Sequence, residues 1–495
     1  MKTTKKMISV LLSVLMSAAV FAGCANAPTD QSDTTTEAVT SANGNESAET
    51  ESIYDKDGYL KDTLDSKLNY NGDTVNILHW SDRLHEEYIA DDINGEIVND
   101  AIYYRNEAVK NRLGVEFNFI GTRGDASNVS NFTGTVENGL KAGTQPYDIV
   151  SAHSFSIGSC AAKGFLTDIS NAENIDFSKP WWPETLISKS TINDKLYFVS
   201  GDISANAIYM MYVTFFNKLL LDEYKLDNPY DFVADGSWTI DKQLSMCKDV
   251  YIDLNNNGVK DIGDQFGQYA YTNHLDTFLW GSDIVVIDVT GDAPVISEEF
   301  MSEKVQNLQE KLRTFFYNSQ DGLVLTVNSS VHQHFMAGIS LFWNDCCRNA
   351  TVFAKTELSY GIVPIPKYDE SQESYTTLVA NPFSLYAIPN DSQKIDELCA
   401  VLECMASESY RKLSPVIFET AMKYKYSRDD KSSQMFDIVK ENVVFDLGRI
   451  FSTSLGTPTG VWQKSITEGT PWMTTMRIQI KTWSKQITEL MKAFE

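Results

Sequence analysis

The sequence predicts an α/β chain of two successive blocks, and three observations carry that expectation. Short apolar runs of period two alternate with longer stretches of helical period. The alternation repeats in a second block, whose first two strands flank a polar break, Gly201 to Asn206. Beyond the N-terminal segments roughly 440 of the 495 residues remain, enough to build two proper cores.

Lys2, Lys5 and Lys6 precede an apolar run, Met7 to Phe21, of signal-peptide length, too short for a stable membrane-spanning helix. The run ends in Phe21-Ala22-Gly23-Cys24, which resembles a bacterial lipobox with Phe21 where leucine is more usual. Residues 1–23 are thus expected to be a lipoprotein signal and Cys24 the lipidated residue; the plainer alternative is a secretory signal that happens to contain a cysteine. Ala25 to Ser52 holds six acidic side chains and no aromatic, Lys or Arg residue. Such a stretch buries too little apolar surface to offset its ordering entropy, so 24–52 is expected to be a disordered tether from the anchor.

The net charge is −26, and loss of the three leader lysines makes it three units more negative. A phosphate-backbone binder shows a basic footprint, so nucleic acid is excluded as a partner. Cys160, Cys247, Cys346, Cys347, Cys399 and Cys404 are scattered without a disulfide framework or paired CxxC spacing, and free thiols are the simpler reading.

In chain order, Tyr54 to Tyr70 is a polar lead-in and Thr74 to His79 a strand ending at Trp80-Ser81-Asp82. A helix follows over Gly95 to Leu113, with Ile97, Ala101, Tyr104 and Ala108 on one face and Gly114 as C-cap. Val115, Phe117 and Phe119 alternate with polar residues as a strand, a helix precedes Pro146, and Tyr147 to Ser151 is the next strand. In the second block Leu196 to Ser200 and Met211 to Phe216 read as strands, and Trp238 to Tyr251 and Met301 to Tyr317 as helices. Ser340 to Trp343, Gly361 to Ile365 and Ser384 to Ile388 read as strands, the last running into a helix with Ile395, Leu398, Leu402 and Met405. This alternation predicts mostly parallel sheets covered on both faces.

Several short motifs in fixed order resemble bacterial extracellular solute-binding proteins of the maltose-binding class, family 1. They are Tyr147-Asp148-Ile149-Val150 leading to Gly164-Phe165-Leu166-Thr167-Asp168-Ile169, then Thr214-Phe215-Phe216-Asn217-Lys218 and Gly236-Ser237-Trp238-Thr239. Phe335-Met336-Ala337-Gly338 and Tyr360-Gly361-Ile362-Val363-Pro364-Ile365-Pro366 complete the set. The resemblance implies a type II periplasmic-binding-protein-like fold: two α/β lobes, a hinge and a ligand cleft between them. It implies lobe 1 over 53–203 plus 382–452 and lobe 2 over 204–381 plus 453–495. Crossings are expected near Asp202 to Asn206, Val379 to Pro382 and Ser452 to Pro458. The implied function is that of a monomeric, lipid-anchored ABC-importer subunit on the outer cell surface, Gram-positive in type, that captures a sugar by hinge closure and docks permease subunits. An extracellular glycan-active hydrolase and a non-transport sensor module are the alternatives.

A sugar offers flat C–H faces and rings of hydroxyls, so its site wants aromatic platforms and short hydrogen-bonding side chains beyond the carboxyl ends of strands. Trp80, Ser81 and Asp82, Ser151, His153 and Ser154, Asp202, Ser204 and Asn206, Trp280, Trp343, Asn344, Asp345 and Asn381 meet that description. Each has a plainer role too, as core tryptophan, buried histidine or helix cap.

Asp253, Asn255, Asn257, Gly258, Val259, Asp261 and Asp264 fall at positions 1, 3, 5, 6, 7, 9 and 12 of a loop. That is calcium-loop spacing, since Ca²⁺ wants six to eight hard oxygens from a loop that turns sharply at position 6. A structural Ca²⁺ is expected, with no organic cofactor; an Asn-rich turn closed on its own backbone is the competing reading. Catalytic signatures are missing: His85-Glu86-Glu87-Tyr88-Ile89 begins like HExxH but ends in Ile89, and there is no GxSxG, P-loop or GxGxxG. His332, His334, Cys346 and Cys347 lack zinc spacing. A binding protein rather than an enzyme is expected.

Overall fold

In the first sheet Val75, Ile77 and Leu78 are fully buried along the strand Asp73–Trp80, as expected for a strand covered on both sides. The structure is a computed structural model. It describes residues 52–291, 293–326, 332–427 and 429–495, apart from the side chains of Leu84 and His85. The leader, Cys24 and the tether up to residue 51 lie outside the described residues.

Asp73–Trp80 pairs in parallel with Val115–Thr122 on one side and Ile149–His153 on the other, and Ser384–Ala387 adds antiparallel beyond the latter. Helices Ile97–Leu113 and Ile395–Glu408 pack together, as do Val129–Ala142 and Ser154–Ala162. The second sheet runs in the order Tyr360–Val363, Tyr212–Asn217, Ser340–Cys346, Phe266–Tyr271, Gly322–Leu325. Here Tyr212–Asn217 is antiparallel to both neighbours, while Phe266–Tyr271 is parallel to both of its own. The two-lobe α/β class is therefore observed, but the sheets are mixed. In each lobe the strand entered from a crossing, Tyr212–Asn217 or Ser384–Ala387, runs against its neighbour. A chain arriving from the other lobe enters from the cleft end, opposite to strands fed by a local helix.

Three expectations are corrected. Leu196 to Ser200 forms no extended strand; Val199 makes an isolated bridge to Tyr386. The Trp238 to Tyr251 helix shrinks to Ile240–Met246, because Thr239 caps it and Trp238 turns inward, its indole N–H donating to the Pro364 carbonyl at 2.9 Å. The helix ending at Gly114, whose φ of 62° suits glycine, buries a different face: Tyr104 is exposed while Arg105 and Asn106 point in. Their side chains donate to the carbonyls of Glu87 and Tyr88, satisfying main chain that packing alone would leave unpaired.

The chain passes between sheets near residues 200–211 and 379–383, where Met211 bridges Val379 and Thr377–Leu378 pairs with Val443–Val444. Segments of the C-terminal third pack on both sheets. Helix Asp430–Glu441 packs on the second-lobe strand Tyr360–Val363, where the Ser432 hydroxyl takes the Ile362 N–H at 3.2 Å. Helix Trp472–Met491 starts against Phe300 of the second lobe, yet the chain ends with Phe494 on Tyr197 and Phe451 beside the first.

Candidate functional site

Two parallel neighbours of the first lobe end at Trp80 and His153, and two of the second at Tyr271 and Cys346. Trp80 is buried, its indole N–H donating to Ser384 Oγ at 3.1 Å and its ring edge-on to His153 at 5.6 Å. In the next turn Ser81 is exposed, Asp82 accepts the Gly124 N–H at 3.0 Å, and the Arg83 guanidinium lies 5.7 Å from the Trp80 ring centre. A Cβ on Gly124 would stand 2.9 Å from Trp80 Cβ, so only glycine lets that loop close down. His153 Nδ1 accepts the Phe155 N–H at 3.1 Å, and burial pushes the imidazole down to about 3, so the ring is neutral.

From His153 a polar seam runs across to the second lobe. The Ser154 hydroxyl donates to the Asn381 carbonyl at 2.9 Å, and Arg449 Nε donates to Asn381 Oδ1 at 2.8 Å. Arg449 pairs with Asp276 at 2.9 Å and lies 4.6 Å from the Trp280 ring centre; the Gln463 amide donates to the other Asp276 oxygen at 2.9 Å. Burial raises the Asp276 pKa against the pull of Arg449. Nearby His274 sits 3.4 Å from Asp345 and edge-on to Trp343 at 4.7 Å, while the Trp343 indole N–H donates to Asp345 at 3.2 Å. Burial acts to raise the Asp345 carboxyl, but His274 and the Cys346 N–H outweigh it and hold it below its ordinary value. Across the gap Glu86 pairs with Arg348, which follows the strand Ser340–Cys346.

The seam therefore gathers Trp80, Ser81, Asp82, His153, Ser154, Trp280, Trp343, Asp345 and Asn381. The three tryptophans stand with their indole N–H groups engaged, about 1% exposed, so they wall the gap rather than offering open faces. The other five expected residues lie away from it. Ser151 bonds the Tyr88 hydroxyl at 2.8 Å in the first-lobe interior. Ser204 caps the short helix Ala205–Tyr209, and the Asn206 N–H donates to buried Glu87 at 2.8 Å, which also takes the Tyr386 hydroxyl at 2.8 Å. Asn344 is an interior hub for Thr214, Gln243 and Thr277. Asp202 lines a separate cavity of about 290 Å³ with Lys440 and Glu441, where burial pushes its carboxyl up to about 6. Strand alternation explains Asn344, whose side chain points opposite to those of Trp343 and Asp345; Ser151 shares the face of His153 but stands two residues back from the strand end.

Arg83, Glu86, His274, Asp276, Arg348, Arg449 and Gln463 were not foreseen. Arg83 directly follows Trp80-Ser81-Asp82 and could have been read from its place. Asp276, Arg449 and Gln463 come from three distant segments and carry no local signal.

The loop 253–264 is closed at its base by the bridge between Ile252 and Gln265. Asp253 accepts the N–H groups of Asn257 and Gly258 at 3.3 and 2.8 Å; Asn255 and Asn257 accept those of Asn257 and Val259 at 2.9 and 2.7 Å. Gly258 has a φ of 73°, and buried Asp264 takes the Leu254 N–H at 3.1 Å. Asp261 accepts from the Asn255 and Asn257 amides. The donor set is hard oxygen and suits Ca²⁺ in kind, while its present hydrogen bonds are those of a self-satisfied turn. Among the described residues no group of three or more His, Cys, Asp or Glu side chains is placed to hold a metal.

No family model and no curated protein matches the sequence. Solved structures do match. One is the galacto-N-biose-/lacto-N-biose I-binding protein of an ABC transporter from Bifidobacterium longum, in complex with lacto-N-biose. It has a TM-score of 0.56 and 12% identity, over 85% of this chain and 98% of that one. A cyclo/maltodextrin-binding protein complexed with maltotetraose gives 0.56 at 11% identity, over 85% and 99%. An ABC substrate-binding protein from Listeria monocytogenes in complex with cycloalternan gives 0.52 at 12%, over 86% and 99%. At these identities the likeness is one of fold, and the fold is that of the two-lobe periplasmic binding proteins.

Proposed function

We propose that the chain is the substrate-binding subunit of an ABC importer, taking up a sugar or oligosaccharide in the gap between its lobes. The observation that carries this reading is the seam itself: buried rings, amides, hydroxyls and charged tips from both lobes converge where the strands end. The solved sugar-bound proteins of the same fold support it. Ligand held by one lobe gains contacts from the other only on closure, and that difference in affinity shifts the population to the closed form. In this reading the chain binds and releases its ligand without altering it, and the closed form docks permease subunits. Cys24 carries the lipid, the tether spans the cell surface, and Ca²⁺ braces the loop 253–264.

Calorimetric titration against a panel of oligosaccharides, with solution scattering to follow compaction, tests the reading. Binding with a smaller radius of gyration is expected; silence across sugars, with no compaction, would sink it.

A further inference from the structure

Two guanidinium groups, one from each lobe, meet at the gap with too few acceptors between them. Arg83 leaves the carboxyl end of Asp73–Trp80, and Arg348 follows Ser340–Cys346. Glu86 serves both: it lies 3.5 Å from Arg83 and pairs through its other oxygen with Arg348. Even so, Arg83 Nε and Arg348 Nη1 are buried without a hydrogen-bond partner among the described residues. Unpaired donors of charged groups are costly in a folded protein, and these two belong to side chains that share the single Glu86 carboxylate. Burial, and then repulsion from Arg348, hold the Arg83 pKa below its ordinary value against the pull of Glu86. The arginine and glutamate side chains remain 24–40% exposed, so the place is reachable from solvent.

We propose that the ligand carries a carboxylate, as an oligosaccharide with a uronic acid residue does, and that this carboxylate bridges Arg83 and Arg348 as Glu86 swings out. The proposal rests on the sugar-binding reading given above. A carboxylate presents two oxygens in one plane, the shape that guanidinium forks take in pairs of parallel hydrogen bonds, whereas a sugar hydroxyl brings one oxygen and no charge. Glu86 is a carboxylate of the protein already seated between the two arginines, so the geometry demanded of the ligand is one the site visibly accepts. A bridge from lobe to lobe also exists only in the closed form, which ties recognition of the anion to closure. The strongly acidic chain as a whole repels anions, but that field is screened within about 8–10 Å at physiological salt, leaving the arginine pair to act at short range.

The test uses calorimetric titration of the mature chain with trigalacturonate, glucuronate-substituted xylotriose and an unsulfated chondroitin disaccharide, each beside its carboxyl-reduced form, and with maltotriose. At least one carboxylated sugar is expected to bind tenfold or more tighter than its reduced partner, with affinity falling as salt rises. Arg348→Gln should cost that ligand at least tenfold, and Glu86→Gln should tighten it several-fold by removing the internal competitor. Thermal melts of both variants separate lost binding from lost folding, and Arg83→Gln serves if Arg348→Gln does not fold. Neutral sugars binding while every carboxylated one fails would overturn the inference and leave the sugar reading standing. Equal affinity for acid and reduced forms, or a uronide indifferent to both arginine variants, would overturn it as well. Silence toward all sugars would end both readings together.

Discussion

The two lobes present their strand ends with similar residues held in different ways. In the first, Trp80-Ser81-Asp82-Arg83 closes Asp73–Trp80; in the second, Trp343-Asn344-Asp345-Cys346-Cys347-Arg348 closes Ser340–Cys346. Each gives a buried tryptophan, a half-buried aspartate and an arginine at the gap. Asp82 is fixed by main chain, the N–H of Gly124, in a loop whose approach needs a glycine. Asp345 is fixed mostly by side chains: the Trp343 indole, the His274 imidazole and, one step on, the Asp276–Arg449 pair. Main-chain support survives most substitutions, whereas a chain of side chains fails wherever one link is cut. The second lobe's half of the site should therefore be the more fragile.

The sharpest way to break the contrast is Arg449→Ala. It strands Asp276 as a buried carboxylate, and the loss should be about 3–5 kcal/mol in a denaturant titration. A loss no larger than that from Asp82→Ala would erase the distinction. The next effect belongs to the second lobe as well. If the loop 253–264 holds Ca²⁺, a hundredfold excess over its Kd should add about 2.7 kcal/mol of stability, abolished by chelation and by Asp253→Ala. A melting temperature indifferent to both leaves the loop as a turn.

Acid should act first on the first lobe. The folded-state pKa of His153, about 3, lies below its ordinary 6.5, so the unfolded chain takes up the proton first. Stability should then fall as pH drops from about 6.5 towards 3, by up to about 1.4 kcal/mol per pH unit from this group. Asp345, held below its ordinary carboxylate value, lends stability that is present at neutral pH and lost only as pH falls through its lower folded value. Between pH 6 and pH 5 the slope should accordingly flatten in His153→Gln and persist in Asp345→Asn. The smallest effect expected is that of Asp82→Asn, which keeps an acceptor for Gly124 and should change stability by about 0.5 kcal/mol or less.

These differences also mark what the sequence could convey. Period-two alternation over Val75 to His79 and Val115 to Phe119, and the glycine at the helix end, are local, and the strands and Gly114 cap stand close to where they were expected. The buried face of Ile97–Leu113 was misread because Arg105 and Asn106 are pulled inward by carbonyls of a neighbouring segment, a demand no periodicity records. The site divides likewise. Trp80 to Asp82 and Trp343 are legible as gap residues because they end or continue strands. Asn344 lies inside because it is one step of strand alternation from Trp343, and Ser151 because it stands two residues short of the strand end at His153. Asp276, Asn381, Arg449 and Gln463 meet only after four separate parts of the chain are brought together.

The six described cysteines are free thiols, and all but Cys346 are buried outright. Burial lifts Cys160, Cys399 and Cys404 to about 12 and Cys247 and Cys346 well above their ordinary range. Only the thiolate attacks an alkylating reagent, so the folded chain should be nearly silent toward one. Cys346 alone stands at the seam and alone is partly exposed, so what alkylation occurs should fall there, and a guest that covers the seam should slow it: a reporter already built into the chain, needing no attached probe.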